Sequence, residues 1–281
     1  MQNNTIASFQ QFIWDFYREQ GRLFAWRNCD NPYHVVVSEI MLQQTQTYRV
    51  EPKYEQFIAQ FPDFQTLAVA PLRDVLAAWQ GLGYNRRGKY LQQIAQKVMS
   101  DFNGVLPNDP AILETFPGIG KGTAGSICAF AFNRPTVFIE TNIRTVFIHS
   151  FFYSQDKIHD KELLPLIADA LDHTNAREWY YALMDYGVHL KKLCVNPSRK
   201  SKHHTKQSKF EGSDRQIRGK IIKLLTEHAL LDVDQLLQLV QKGLPAIATG
   251  DGWEEQRVLR ILDELQCEQL IAYKDDYYCI V

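Results

Sequence analysis

The stretch Leu113-Glu114-Thr115-Phe116-Pro117-Gly118-Ile119-Gly120-Lys121-Gly122-Thr123-Ala124 governs the reading of the rest of the chain. A proline and two alternating glycines make a tight hairpin, with apolar helical spacing on both sides. Glycine lets the backbone turn sharply and approach a ligand closely. A helix opening directly behind such a turn presents unpaired N–H groups and the positive end of its dipole, which suits a phosphate. Pro117, Gly118, Ile119, Gly120, Lys121, Gly122 and Thr123 are therefore candidate contacts to a nucleic-acid backbone, although the same hairpin can also serve only as a turn.

The text around the hairpin is helical: apolar residues recur at helical period, and few segments alternate before residue 269. Asn31-Pro32 reads as a cap and a first-turn proline, opening a helix through Val35, Val36, Glu39, Ile40 and Gln43. Pro52, Pro62, Pro71, Pro107, Pro110 and Pro117 predict a series of short helices rather than one long coil. After Gly212-Ser213-Asp214 the pattern changes. Helical spacing at about 215–227, 233–242 and 253–267 precedes two strand-like runs, 269–273 and 277–281, joined by Lys274-Asp275-Asp276. Three helices and a hairpin outline a winged helix. The expectation is a mainly α chain with a boundary near 213, dividing 1–213 from 214–281.

The 281 residues, 45% of them hydrophobic, can bury a sizeable core. No run is apolar enough to cross a bilayer, and Met1-Gln2-Asn3-Asn4-Thr5 carries no signal-peptide pattern, so a cytoplasmic, nucleoid-associated location is expected; a monomer is expected as well. Cys29, Cys128, Cys194, Cys267 and Cys279 are odd in number and lack metal-type spacing, which reads as reduced thiols and no metal. The net charge of −1 hides an asymmetry. Residues 189–220 hold ten Lys/Arg against two acids, and 221–281 hold five against eleven. The first run could neutralise phosphates or be a solvated linker; the second would repel phosphates and suits a protein partner.

Three further stretches carry possible chemistry. In Ser38-Glu39-Ile40-Met41-Leu42-Gln43-Gln44-Thr45-Gln46, helical geometry surrounds Glu39 with Val35, Val36 and Leu42. A carboxyl among apolar neighbours should have its pKa raised toward neutrality, so it could donate a proton; it could also be an ordinary helical Glu. Trp79-Gln80-Gly81-Leu82-Gly83-Tyr84-Asn85-Arg86-Arg87 turns on glycines and presents Tyr84, Arg86 and Arg87. These can wedge into a base stack or hold phosphates, or form a core turn. In Phe138-Ile139-Glu140-Thr141-Asn142-Ile143-Arg144, Glu140 is either an N-cap or the ionised carboxylate that glycosidic cleavage needs beneath the sugar.

Taken together in this order, the stretches resemble the adenine DNA glycosylases (MutY-like) of the helix-hairpin-helix family that includes endonuclease III. The resemblance runs from about Phe24 to Gly187. It is carried by Trp26-Arg27, Asn31-Pro32-Tyr33, the Glu39 and Tyr84 stretches, the hairpin, and Trp179 through Met184-Asp185-Tyr186-Gly187. It implies a two-lobed helical fold, one lobe over about 27–140 and the other from the N-terminus and about 141–213, with a base pocket between them. It implies double-stranded DNA as partner, Glu39 as the acid, Gln43, Gln44 and Tyr84 at the base stack, and Asn142 in the pocket. Four departures stand out. Glu140 replaces the family's aspartate. Gly122 replaces the Schiff-base lysine of bifunctional relatives, implying hydrolysis without strand cleavage. The four iron–sulfur cysteine positions become Lys191, Ser198, Ser201 and Gln207, so no cluster is expected. Finally, the acidic winged-helix text stands where the family reads 8-oxoguanine. The resulting expectation is excision of adenine from a mispair. A thymine, uracil or damaged-pyrimidine glycosylase is the second reading, and a non-catalytic DNA-binding protein is one from another class.

Overall fold

The computed structural model describes residues 2–27, 29, 31–206, 208–244 and 255–281. Among them the chain runs through α1 (Gln2–Gln20), α2 (Pro32–Leu42), α3 (Thr47–Gln60), α4 (Phe64–Val69), α5 (Leu72–Ala78), α6 (Arg86–Asp101) and α7 (Pro110–Leu113). It continues through α8 (Lys121–Phe132), α9 (Thr141–Phe151), α10 (Asp160–Asp169), α11 (Ala176–Leu193) and a 3-10 turn at Pro197–Lys200. Last come α12 (Asp214–Glu227), α13 (Val233–Lys242), α14 (Glu255–Cys267), β1 (Ile271–Lys274) and β2 (Tyr277–Ile280). The mainly α expectation holds. Trp253 and Glu254, expected to open the last helix, lie outside the described residues.

Local chemistry sets these ends. Asp63 accepts from Thr66 N at 2.7 Å to start α4, and Asp109 accepts from Ala111 N at 2.8 Å to start α7. Asp232 and Gln235 form a capping box at α13. β1 and β2 pair antiparallel, Ile271 opposite Ile280 and Lys274 opposite Tyr277. Asp275 and Asp276 between them both have positive φ, 50° and 64°, as the tightest hairpin turn requires. Pro52 departs from expectation because it lies inside α3 instead of ending a helix. The carbonyl that would have bonded its missing N–H belongs to Tyr48, which is 69% exposed, so water can serve it.

The chain forms two compact units. The first comprises Met1–Glu39 and Pro107–Lys206. Its core gathers Phe9, Ile13, Val146, Phe147, Trp179 and Tyr180, all buried. Phe9 meets Phe147 edge-on at 5.4 Å, and Phe130 stacks on Tyr181 at 4.6 Å. The second unit comprises Ile40–Leu106 and Gln207–Val281. Leu76 of α5 packs there among Ile221, Ile222, Leu225, Ile261 and Leu265. Arg73 donates twice to the Thr226 carbonyl, at 2.9 and 2.7 Å, and Lys89 donates to the Glu268 and Gln269 carbonyls at 2.7 and 3.0 Å. The sequence reading groups the chain differently, because it sets 214–281 apart and joins 107–140 to 40–106. Contacts to Leu76 tie the C-terminal helices to α5, and contacts such as Phe130–Tyr181 tie α8 to α11.

Candidate active site

In the first unit α2 buries Val35 and Val36 and places Glu39 one turn on. Ser126 Oγ of α8 makes a short hydrogen bond to Glu39 Oε2 and also lies 3.0 Å from the Thr123 carbonyl. Burial pushes the Glu39 carboxyl up to about 7. The Ser126 bond opposes the rise, the negative charge of Glu140 adds to it, and Arg27 opposes it again. The direction is the one its apolar neighbours predict.

Glu140 is an N-cap and a neighbour of Glu39 at once. Its extended backbone (φ −131°, ψ 178°) lets the side chain fold over the start of α9, where Oε1 accepts from Asn142 N at 2.6 Å and Ile143 N at 2.8 Å. Asn142 Nδ2 donates to Oε2 at 3.2 Å. Burial raises its pKa as well; the two amides, Lys191 and Arg144 oppose that rise and favour the carboxylate. Asn142 Oδ1 in turn accepts from Lys191 Nζ at 2.6 Å. Behind this group Arg27 and Asp185 form a buried bidentate pair at 2.8 and 2.9 Å, which Arg22 joins at 2.7 Å. The Arg27 guanidinium also lies 4.3 Å from the Tyr181 ring.

The hairpin leads into this site through α8. Ile119 is buried and anchors it; Gly118 (φ 73°), Gly120, Lys121 and Gly122 are exposed. Gly120 is the N-cap of α8 and supplies no side-chain bond to the first amides. That leaves a helix start suited to an anion. A Cβ at Gly122 would meet only the Ile139 carbonyl, at 3.6 Å.

The second unit holds the remaining expected residues. Gln43 and exposed Gln44 (φ 55°) follow α2, and Tyr84 (φ 49°) closes the Gly81–Gly83 turn. Arg86 is exposed, 3.6 Å from Glu268. Arg87, by its sequence context a candidate phosphate contact, is instead buried, with both terminal nitrogens engaged and Nε unpartnered. It donates to the carbonyls of Ile40 (2.8 Å), Met41 (3.0 Å), Gln43 (2.6 Å), Leu82 (3.2 Å) and Gly83 (3.0 Å), and to Thr45 Oγ1 (3.0 Å). It thus pins the end of α2 to the glycine turn, and burial lowers its pKa to about 10. Tyr84 lies between two guanidiniums, Arg87 at 5.5 Å and Arg215 at 5.2 Å, and its hydroxyl accepts from Arg215 at 2.6 Å. Ser126 has no distinguishing sequence signal, and Lys191 stands out only as one charge of a basic run and as a replaced cluster position, neither of which points to Asn142.

Residues 37–168 match the family model described as HhH-GPD superfamily base excision DNA repair protein. The adenine DNA glycosylase of Mycolicibacterium smegmatis is 30% identical over 243 residues, 79% of this chain and 81% of that protein. The chain belongs to the HhH-GPD superfamily. An adenine DNA glycosylase of Buchnera aphidicola (subsp. Baizongia pistaciae) is 37% identical over 188 residues, 66% of this chain; the chain spans about half, 53%, of that relative. Among solved structures, a thermostable thymine-DNA glycosylase superposes with a TM-score of 0.60 at 24% identity, covering 66% of this chain and 87% of that one. A non-covalent endonuclease III–DNA complex gives 0.57 at 14% identity, covering 71% and 98%. The HhH-GPD match spans Glu39, the hairpin, Glu140 and Asn142, and stops short of Asp185 and Lys191.

Proposed function

We propose that this chain is a monofunctional DNA glycosylase that hydrolyses the N-glycosidic bond of a base flipped out of duplex DNA, adenine in a mispair. The observation that carries this reading is the carboxylate pair in one buried site, Glu39 held near 7 and Glu140 bound by two helix-start amides. Protonated Glu39 gives its proton to the leaving base as the bond to C1′ breaks. Glu140, as the anion, faces the positive charge that develops on the sugar. Water adds to C1′ in the base's place, and its proton returns to the Glu39 carboxylate. The names of the relatives at 30–37% identity support adenine as the base. A pyrimidine substrate is the second reading, favoured by the added methylene of Glu140 and by the thymine-DNA glycosylase neighbour.

A panel of duplexes, each with one mispair or lesion, incubated with protein and then treated with hot alkali, tests this. Cleavage at adenine is expected; cleavage only at pyrimidines would establish the second reading, and none at all the non-catalytic one. Gly122 carries no amine, so borohydride should trap no protein–DNA adduct, and a lysine-dependent adduct would overturn the monofunctional assignment.

The donors present do not fit an iron–sulfur cluster. Lys191 bonds Asn142, and Ser198 and Ser201 are buried hydroxyls, Ser198 Oγ donating to Asn196 Oδ1 at 2.9 Å. Gln207 lies outside the described residues, and Cys194 is exposed at the end of α11. Cluster iron needs thiolates, so metal analysis should find none. Exposed Arg199, Lys202 and Lys206 are the part of the basic run that we assign to phosphates, and the acidic balance of 221–281, which we read as most of a winged-helix domain, suits a protein partner.

A further inference from the structure

Lys192, Lys202 and Lys206 are exposed, but Lys191 turns inward. Gly187 and Lys191 lie one turn apart on the same face of α11. A Cβ at Gly187 would stand 2.6 Å from the Asn142 carbonyl oxygen and 2.7 Å from its Cβ, so the α11 backbone rests directly on Asn142. Four residues on, Lys191 Nζ reaches Asn142 Oδ1 at 2.6 Å. An ammonium only donates, so this contact fixes which end of the carboxamide faces which way. The carbonyl faces Lys191, and Nδ2 faces Glu140 Oε2 at 3.2 Å. The reverse orientation would oppose donor to donor at Lys191 and acceptor to acceptor at Glu140.

We propose that Lys191 is a positioning residue of the carboxylate site, setting the Asn142 carboxamide so that it presents its N–H to Glu140. The charge acts in the same sense. Glu140 is faced by Lys191 from α11 and Glu39 from α2, with Arg144 and Asn142 on its own helix, and Lys191 is a cation that favours its ionised form. Removing Lys191 frees the carboxamide to turn and shifts Glu140 toward the neutral acid. The two backbone amides still hold Oε1, so the start of α9 survives.

The kinetic arm of the test rests on the glycosylase reading; the titration arm does not. Carboxyl 13C resonances of the full chain, with Glu140 assigned against Glu140→Gln, should show its midpoint rising in Lys191→Met and returning toward wild type in Lys191→Arg. Single-turnover excision on the best duplex should fall about tenfold to a hundredfold in Lys191→Met, the scale of one charge-assisted hydrogen bond, with duplex affinity unchanged. The loss should shrink as pH rises, since Glu140 then ionises unaided. In an Asn142→Ala background the same substitution should lose the part of its effect that passes through the carboxamide and keep only the smaller part carried by charge. An unchanged Glu140 midpoint would overturn the proposal. Weakened duplex binding with a flatter salt slope and an unaltered rate would also do so, making Lys191 a phosphate contact. Should Lys191→Met not fold, Lys191→Gln removes the charge with a polar side chain and is read in the same way. If the wild type excises no base, the glycosylase reading fails, and the titration still decides the role of Lys191.

Discussion

Glu39 and Glu140 are the same residue type in one site, and their neighbours divide the work between them. Glu39 meets one hydroxyl and apolar helix, whereas Glu140 meets two amides, a carboxamide and the Lys191 charge. Glu39 must be protonated and Glu140 ionised, so excision should fall about tenfold per pH unit above about 7, where Glu39 loses its proton, and fall again on the acid side, where Glu140 takes one up. Glu39→Gln keeps the shape, removes the proton, and should slow single-turnover excision by about two to four orders of magnitude while duplex binding persists. Glu140→Gln should be comparably damaging to chemistry. Glu140→Asp separates two histories of the site. The shorter acid should retain most activity if Glu140 merely stands in for aspartate; it should lose activity if the fold over both α9 amides needs the longer chain. Unchanged rates in both Gln variants would remove the carboxylates from the mechanism. Helical spacing surrounds Glu39 with valines, but that spacing also fits an ordinary helical Glu, and only the order of all the stretches together points to an acid. The sequence could not carry Ser126 or Lys191: their roles depend on α8 and α11 meeting Glu39 and Asn142, residues far away along the chain.

Elements act here through close approach and through shared ties. Gly187 lets α11 lie against α9, and Gly187→Ala would drive a Cβ into the Asn142 backbone. A stability loss of about 1–3 kcal/mol in urea unfolding is expected, with excision reduced because Asn142 and Glu140 move together. Arg87 ties the end of α2 to the Gly81–Gly83 turn through six acceptors. Arg87→Met leaves several buried carbonyls unpaired and should cost about 3 kcal/mol or more without flattening the salt dependence of DNA binding. A flattened slope with normal stability would return Arg87 to the phosphate role its sequence context suggested. The helix opening at Pro32, those at about 215–227 and 233–242, and the terminal hairpin are legible from spacing, the Asn31-Pro32 pair and the Lys274-Asp275-Asp276 join, although Lys274 belongs to β1. The burial of Arg87 is not, since an arginine after a glycine turn reads the same whether it faces solvent or folds back onto carbonyls.

Across the whole molecule, charge and connectivity set the behaviour. Replacing Arg199, Lys202 and Lys206, all exposed, should lower the slope of log affinity against log salt by roughly one unit per lost phosphate contact. An unaltered slope would make the run a solvated linker. The division at 213 follows a change in composition and spacing, and apolar helical spacing does not say which helix a face will meet. Each unit is assembled from two separated stretches, 1–39 with 107–206 and 40–106 with 207–281. This arrangement orders events during synthesis. The first unit can close once Lys206 has left the ribosome. Leu76 and Leu72 of α5 must wait for the C-terminal helices before their apolar face is covered. At roughly 5–20 residues per second that wait is on the order of ten to thirty seconds. During it the nascent chain shows sticky surface to chaperones, proteases and other copies of itself. Slow translation anywhere through 107–281 should therefore lower the yield of active protein more than slow translation through 1–39.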